Sequence, residues 1–332
     1  MTRNIYLGAD VGAAVRLLPD VSAAAQSMWD DVRRTHFARR MRLLAREILA
    51  EMPDVIGLQE VARWFCRPDS SADPVEVHSG LRELLDALCA QYAVAVRRTN
   101  LSTAHLAPSA RVHDPETFRR LWGPQVDLYA DKAECWLEVE DVLLVRQRWV
   151  PHIVRTGSAG FARRTVLVPG LLEIDRGYVW ADLDLDTQAG RCRVVSAHLE
   201  SGTIRRSAAY RQARQLVRDL DDLSDDVLAF VVVGDFNSDR GGAYWAMRGA
   251  GFADTGREDS APTAIDGTRT AVRGRLFGPD PPRGISILFT ERIDYIFVRG
   301  CVRSGPARTV GVIPPLASDH AGVVVDLELL DP

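Results

Sequence analysis

The apolar positions of this chain fall mostly into short blocks, with a few longer stripes at helical spacing. The first stripe lies at 33–51, "RRTHFARRMRLLAREILAE", where Phe37, Met41, Leu44, Ile48 and Leu49 share one face and Pro53 ends the run. Further helices are predicted over 80–90 and over 207–223, the latter with Ala209, Ala213, Leu216, Val217 and Leu220 on one stripe. The short blocks read as strands: 54–61 "DVIGLQEV", 92–98, one or two over 134–149, 177–186, 192–201 "CRVVSAHLES", "VLAFVVVGDFNS", 292–300 and 321–329. Residues 100–135, with Pro108, Pro115, Pro124 and Trp122, read as a long connection holding one short helix near 115–122. Residues 256–290 are rich in Gly, Pro and Arg and read as surface loop. Strands alternating with helices, then strands joined by long loops, predict two packed sheets with helices outside. No linker, repeat or low-complexity segment divides residues 1–332, so one α/β domain is expected.

Several apolar blocks end in polar residues. In "VVVGDFNS", 231–238, alternation puts Asp235 and Asn237 on one side and Phe236 on the other, toward a core. Alone, this is equally a strand followed by an Asx turn. Glu60 ends "GLQE", His198 lies in "VVSAHLES", Asp294 opens "DYIFV", and Asp319 and His320 precede the last block. Each has a structural alternative: a salt bridge for Glu60, a satisfied core position for His198, Arg292 as partner for Asp294, a turn cap for Asp319. Their recurrence at strand ends is what points to chemistry. Asparagine sharpens it, because the chain holds only Asn4, Asn100 and Asn237, and two of the three sit at strand tips.

Composition excludes some classes. At 46% hydrophobic the chain suits a sizeable core, and no run of 18 apolar residues is present to cross a membrane as a helix. No signal peptide is visible, although "TRNIYLGAD" already reads as the end of a core strand, as after removal of a leader. The five cysteines form no C-x-x-C pair, which argues against a zinc cluster or a disulfide framework and for a reducing, cytoplasmic compartment. Lys132 is the only lysine; with a net charge of −4 and a pI near 6.0, the balance lowers nucleic acid as a partner. Oligomeric state is unread.

The segments "TRNIYLGAD", "DVIGLQEV", "VVSAHLES", "VVVGDFNSD", "RIDYIFV" and "ASDHAGVV", in this order over 2–325, resemble the endonuclease/exonuclease/phosphatase superfamily of metal-dependent phosphoesterases. The Arg-Asn-aromatic opening, "RGYVWADLDL" and "HLES" resemble a bacterial subset of it. The resemblance implies a four-layer α/β sandwich, two central, mostly antiparallel β-sheets flanked by helices, with a variable insertion at about 100–135. It implies Glu60 as the principal metal ligand, with Asn4 and Asp319 as the other metal-side positions. It implies His198 at the scissile phosphate, Asp235 on the attacking water, Asn237 on nucleophile and phosphoryl oxygen, and Asp294 with His320 as an Asp–His pair. Tyr6 and Tyr129 are candidates for a phosphate-side tyrosine.

The chemistry agrees with those residue types. Attack on a phosphate ester needs the phosphoryl charge offset and a water deprotonated, and a divalent cation serves both. Two carboxylates, a neutral amide and no Cys or His cluster favour Mg²⁺ or Mn²⁺ over zinc. The expected function is a divalent-metal-dependent phosphoesterase acting on a phosphodiester by in-line attack of water, with a small-molecule or lipid-headgroup substrate preferred over DNA. Either Asp235 or His320 is the base. The alternatives are a DNA endo- or exonuclease and a non-hydrolytic enzyme or binding protein of specialised metabolism reusing the site.

Overall fold

Side chains of the strand Val227–Asp235 divide by parity. Phe230 and Val232 share a core with Ala213 and Leu216 of the helix Gly202–Asp222 and with Met247 of the helix Gly242–Gly249. Ala229, Val231 and Val233 face the other way, toward Leu143 and Val323 of the opposing sheet. The neighbouring strand Arg191–His198 divides likewise, Val195 and Ala197 to the helices, Cys192 and Val194 to the seam between sheets. Beyond that opposing sheet, Met41, Leu44 and Ile48 of the helix Phe37–Glu51 and Trp29 of the helix Val21–Arg34 cover Ile56 and Leu58. Each such fully buried aliphatic side chain stabilises by about 1.5–3 kcal/mol. The result is the expected four-layer α/β sandwich. The computed structural model describes residues 1–123, 132–184, 190–223, 226–256, 261–265, 277 and 289–331.

The first sheet runs Arg308–Val310, Gly322–Val324, Thr2–Asn4, Val55–Arg67, Lys132–Arg146, Tyr92–Ser102. The second runs Ala253–Asp254, Asp294–Gly300, Val227–Asp235, Arg191–His198, Gly177–Asp184, Ile153–Gly160. Pairing is antiparallel except for Thr2–Asn4 beside Val55–Arg67, and Arg191–His198 beside Val227–Asp235. The two sheets approach tightly at Gly57, where an added Cβ would lie 2.5 Å from Val233 Cγ2 and 2.7 Å from Ser196 Oγ. Beside it Gln59 Nε2 donates to Ser196 Oγ at 2.9 Å, a polar link across the seam.

Some expectations are refined. The stripe at 33–51 becomes a helix starting at Phe37, because His36, at φ 49°, separates it from Val21–Arg34. Residues 134–149 hold one long strand, Lys132–Arg146. The short helix in the 100–135 connection is Pro115–Trp122, with Asp114 accepting from Thr117 N and Pro115 in the first turn. Most of 256–290 lies outside the described residues.

The cysteine reading is corrected. Cys66 and Cys135 stand directly opposite across the ladder of Val55–Arg67 and Lys132–Arg146, and they form a disulfide. They are 69 positions apart in sequence, so only strand register brings them together. Cys89, Cys192 and Cys301 are free. The cysteines thus give no ground for inferring a reducing compartment.

Candidate functional site

Parity carries Asp235 to the mouth of the seam, in line with Val231 and Val233, while Phe236 is buried in the helix-side core. His198 lies directly opposite Asp235 in the parallel register. Asp294 is opposite Asp235 on the other side. Three predicted site residues therefore share one row of the second sheet. His198 Nε2 is 3.6 Å from Asp235 Oδ2, and His320 Nε2 is 3.9 Å from the same oxygen. Asp294 Oδ2 is 2.9 Å from His320 Nδ1.

The first sheet supplies the facing side. Asn4 Nδ2 donates to Asp235 Oδ2 at 3.1 Å, and Asn4 Oδ1 accepts from Tyr6 N. Next to Asn4, the register of Val55–Arg67 on Lys132–Arg146 jumps from Leu58↔Val142 to Val61↔Glu140. That bulge sets Gln59 and Glu60 against Asp141 alone, with Glu60 at φ 58°. Glu60 Oε2 accepts from Leu7 N at 3.1 Å. Asp319 adjoins His320; Ser318 Oγ donates to Asn4 O at 2.7 Å, fixing this loop to the first strand. Asn237, at φ 46°, donates its backbone N–H to Asp235 Oδ1 at 2.9 Å and its amide to Leu199 O at 2.9 Å. Left-handed backbone at Tyr6, Glu60 and Asn237 costs on the order of 1 kcal/mol apiece, strain of the kind that gathers at functional positions.

Burial drives the electrostatics. The Asp235 carboxyl is pushed above the ordinary range by burial and by the like charge of Asp294, against the lowering influence of His320 and His198. Burial pulls His320 down, but Asp294, Asp235 and Asp319 outweigh it and take the imidazole up to about 10. Asp235, Asp294 and His320 offer ligand atoms all within 4.8 Å of one another, an acidic cluster able to hold a metal ion. Asp294 Oδ1 is buried without a hydrogen-bond partner.

The structure adds residues that the sequence reading did not assign. Asp141, in line with Leu143 on the seam face, places Oδ1 3.4 Å from His198 Nδ1 and accepts from Asn100 Nδ2 at 2.5 Å through Oδ2. Asn100 is itself the extra residue of a second bulge, between Thr99↔Glu140 and Leu101↔Val139. All three asparagines of the chain thus touch a site carboxylate, so their rarity was a signal for Asn100 too. Arg176 sets Nη1 2.7 Å from Nδ1 and 2.8 Å from Nε2 of His198; it is the arginine of "RGYVWADLDL". Arg40, fully buried, donates to the carbonyls of Ile5, Tyr6 and Ala317. Burial draws its guanidinium down to about 10, opposed by Tyr6, Asp319 and Glu60, so both predicted metal-side carboxylates act on this one cation.

Other candidates are engaged elsewhere. Tyr6 stacks on Phe277 with centroids 5.5 Å apart, and Tyr129 lies outside the described residues.

Comparison with known proteins follows from this geometry. The family model described as "Endonuclease/Exonuclease/phosphatase family" matches residues 29–320, and the chain belongs to that family. An endonuclease/exonuclease/phosphatase from Bacteroides vulgatus superimposes with a TM-score of 0.52 at 17% identity, covering 88% of this chain and 90% of that one. A mannosyl-6-phosphatase from Bacteroides thetaiotaomicron gives 0.55 at 15%, covering 91% and 95%. D. rerio TDP2 complexed with a single-strand DNA product gives 0.52 at 14%, covering 88% and 93%. At these identities the likeness is one of fold. No curated protein matches the chain.

Proposed function

We propose that this protein is a divalent-metal-dependent phosphoesterase that hydrolyses a phosphodiester by in-line attack of water. The observation that carries the reading is the convergence of His198, Asp235 and the Asp294–His320 pair on one point of the seam. Family membership supports it, since members are generally hydrolases of phosphate esters. Of the three structures compared, one is a mannosyl-6-phosphatase and another holds a single-strand DNA product, and the two share only the phosphate ester.

The donor set fits a hard cation. The pocket is rich in carboxylate and amide oxygens, and Asp294 Oδ1 is buried in it without a partner. Glu60 and Asp319, with Asn4, would hold the ion; Glu60 is the partly exposed carboxylate of the group, and its Oε2 accepts from Leu7 N. Bound there, Mg²⁺ or Mn²⁺ supplies Lewis-acid polarisation of the phosphoryl group and charge relief at the leaving oxygen. Asp235 is held by Asn4 and by the Asn237 N–H, and it orients the attacking water and takes its proton. Asp294 keeps His320 protonated, so that Nε2 donates to a phosphoryl oxygen. His198 and Arg176 supply further donors to the equatorial oxygens.

The test is hydrolysis of bis-p-nitrophenyl phosphate with Mg²⁺ or Mn²⁺. Turnover that a chelator abolishes supports the mechanism; chelator-resistant turnover, or none with either ion, overturns it.

A further inference from the structure

Two residues bear on His198 from the two sheets. Asp141 of the first sheet puts Oδ1 3.4 Å from Nδ1, and Arg176, which leads into the strand Gly177–Asp184 of the second, puts Nη1 2.7 Å from the same nitrogen. Both trace back to one side chain. Arg98, on the strand Tyr92–Ser102, donates from Nη1 to Asn100 Oδ1 and to Asp175 O, each at 2.6 Å, and from Nη2 to Asp175 Oδ2 at 2.7 Å. Asp175 N closes the knot by donating to Asn100 O at 2.8 Å. The Arg98 side chain is only 12% exposed and crosses from one sheet to the other. The second sheet leaves room for it. Gly160 and Gly177 are register partners, and an added Cβ would lie 2.6 Å from Arg98 Nη2 at the first and 3.0 Å from Arg98 Cζ at the second.

A guanidinium can only donate, so it selects which end of the Asn100 amide it meets. Arg98 takes the oxygen, and the NH₂ is left for Asp141 Oδ2, at 2.5 Å. That bond aims Asp141 Oδ1, buried and without a hydrogen bond of its own, at His198. On the other branch Asp175 is held through both backbone and side chain, which places the backbone of its neighbour Arg176. An arginine serving stability alone needs no partner in the site; this one binds an amide whose other end carries a site carboxylate.

We infer that Arg98 is a positioning residue: it sets the orientation of His198 through Asn100 and Asp141, and the place of Arg176 through Asp175, so that both donors face one phosphoryl group. This rests on the phosphoesterase reading for what the donors act on, while the alignment is a property of the protein without substrate.

The test joins kinetics to the imidazole ¹H–¹⁵N spectrum, with His198 and His78 assigned by their loss in H198A and H78L. In R98Q the new amide can donate or accept, so Asn100 is free to turn over. R98Q should lower kcat on bis-p-nitrophenyl phosphate by about 10–100-fold, the order that misplacing a catalytic group costs. D175N should lose less, and R303Q, an exposed arginine paired with Glu328, should match wild type. The His198 ring signals should move in R98Q and D175N while those of His78, packed against Trp29 and Phe37, stay in place. Near-wild-type kcat in both variants, or unmoved His198 signals in both, would overturn the assignment. Signals of His198 and His78 moving together would overturn it as well, since they report general loosening. If R98Q does not fold, D175N, which keeps Arg98, carries both measurements. If wild type cleaves no ester with Mg²⁺ or Mn²⁺, the phosphoesterase reading fails and the spectra alone decide the role of Arg98.

Discussion

Asp294 Oδ2 meets His320 Nδ1 at 2.9 Å across the seam, the carboxylate from the second sheet and the imidazole from the loop entering the first. The pair turns His320 Nε2 toward Asp235, 3.9 Å away. Removing either Nε2 or the Asp235 charge should therefore disable turnover without dismantling the core. Steady-state kinetics on bis-p-nitrophenyl phosphate are expected to show kcat losses of at least about 100-fold for His320→Ala and for Asp235→Asn, the lower end for a general acid–base group. Near-wild-type rates in both would remove these residues from the mechanism.

Gly57 sits at a tight point of the seam, and a Cβ there would collide with Val233 and Ser196. Gly57→Ala should destabilise by about 1–3 kcal/mol through overpacking, read as a lower denaturant midpoint at unchanged m-value. Gly123→Ala is the wrong control despite its open surroundings, because its φ of 83° adds strain of its own. Gly249, with open space and ordinary φ inside a helix, is the suitable one, and Gly249→Ala should leave the midpoint unchanged or raise it.

The disulfide predicts a thiol count. Denatured without reductant, the protein should titrate three thiols of its five cysteines, those of Cys89, Cys192 and Cys301. In the folded state Cys89, exposed, should react first; burial takes the Cys192 thiol up to about 12 and holds it back. The double substitution Cys66→Ser/Cys135→Ser should lower stability by about 2–4 kcal/mol. Five titratable thiols in the unreduced protein would contradict the pairing.

Acid sensitivity should come partly from His78, which packs against Trp29 and Phe37. Burial, helped by Arg120 and Arg82 and opposed by Asp114, pulls its pKa from 6.5 down to about 4. Between those values the unfolded chain takes up a proton that the folded one refuses. Stability thus falls as pH drops from 6.5 to 4, with a slope of no more than about 1.4 kcal/mol per pH unit from this group. Denaturation midpoints followed from pH 7 to pH 4.5 should decline less steeply in His78→Leu than in wild type.

Much of this architecture was legible because period-two alternation fixes faces. The parity of Val231, Val233 and Asp235 sets the carboxylate on the side opposite Phe236, which enters a core. Register was not legible. Asp141 becomes a neighbour of His198 through a bulge on the adjacent strand, and Cys66 meets Cys135 through the same ladder. Neither follows from local pattern, since each pairing depends on how one strand slides along another. The helix Val21–Arg34 was legible too, since Ala25, Met28, Trp29 and Val32 share its inward side at helical spacing, but no element was read there.

The seam described for the core also divides the reacting groups into two sets. Asn4, Glu60 and Asp141 travel with one sheet; His198, Asp235 and Asp294 travel with the other. Any rigid sliding or spreading of the two slabs displaces the pairs that cross the seam, Asn4 with Asp235, Asp141 with His198 and Asp294 with His320, all at once. Catalytic rate should therefore register a change of slab spacing while the melting curve is still flat, which makes turnover under hydrostatic pressure a finer gauge of this interior than unfolding.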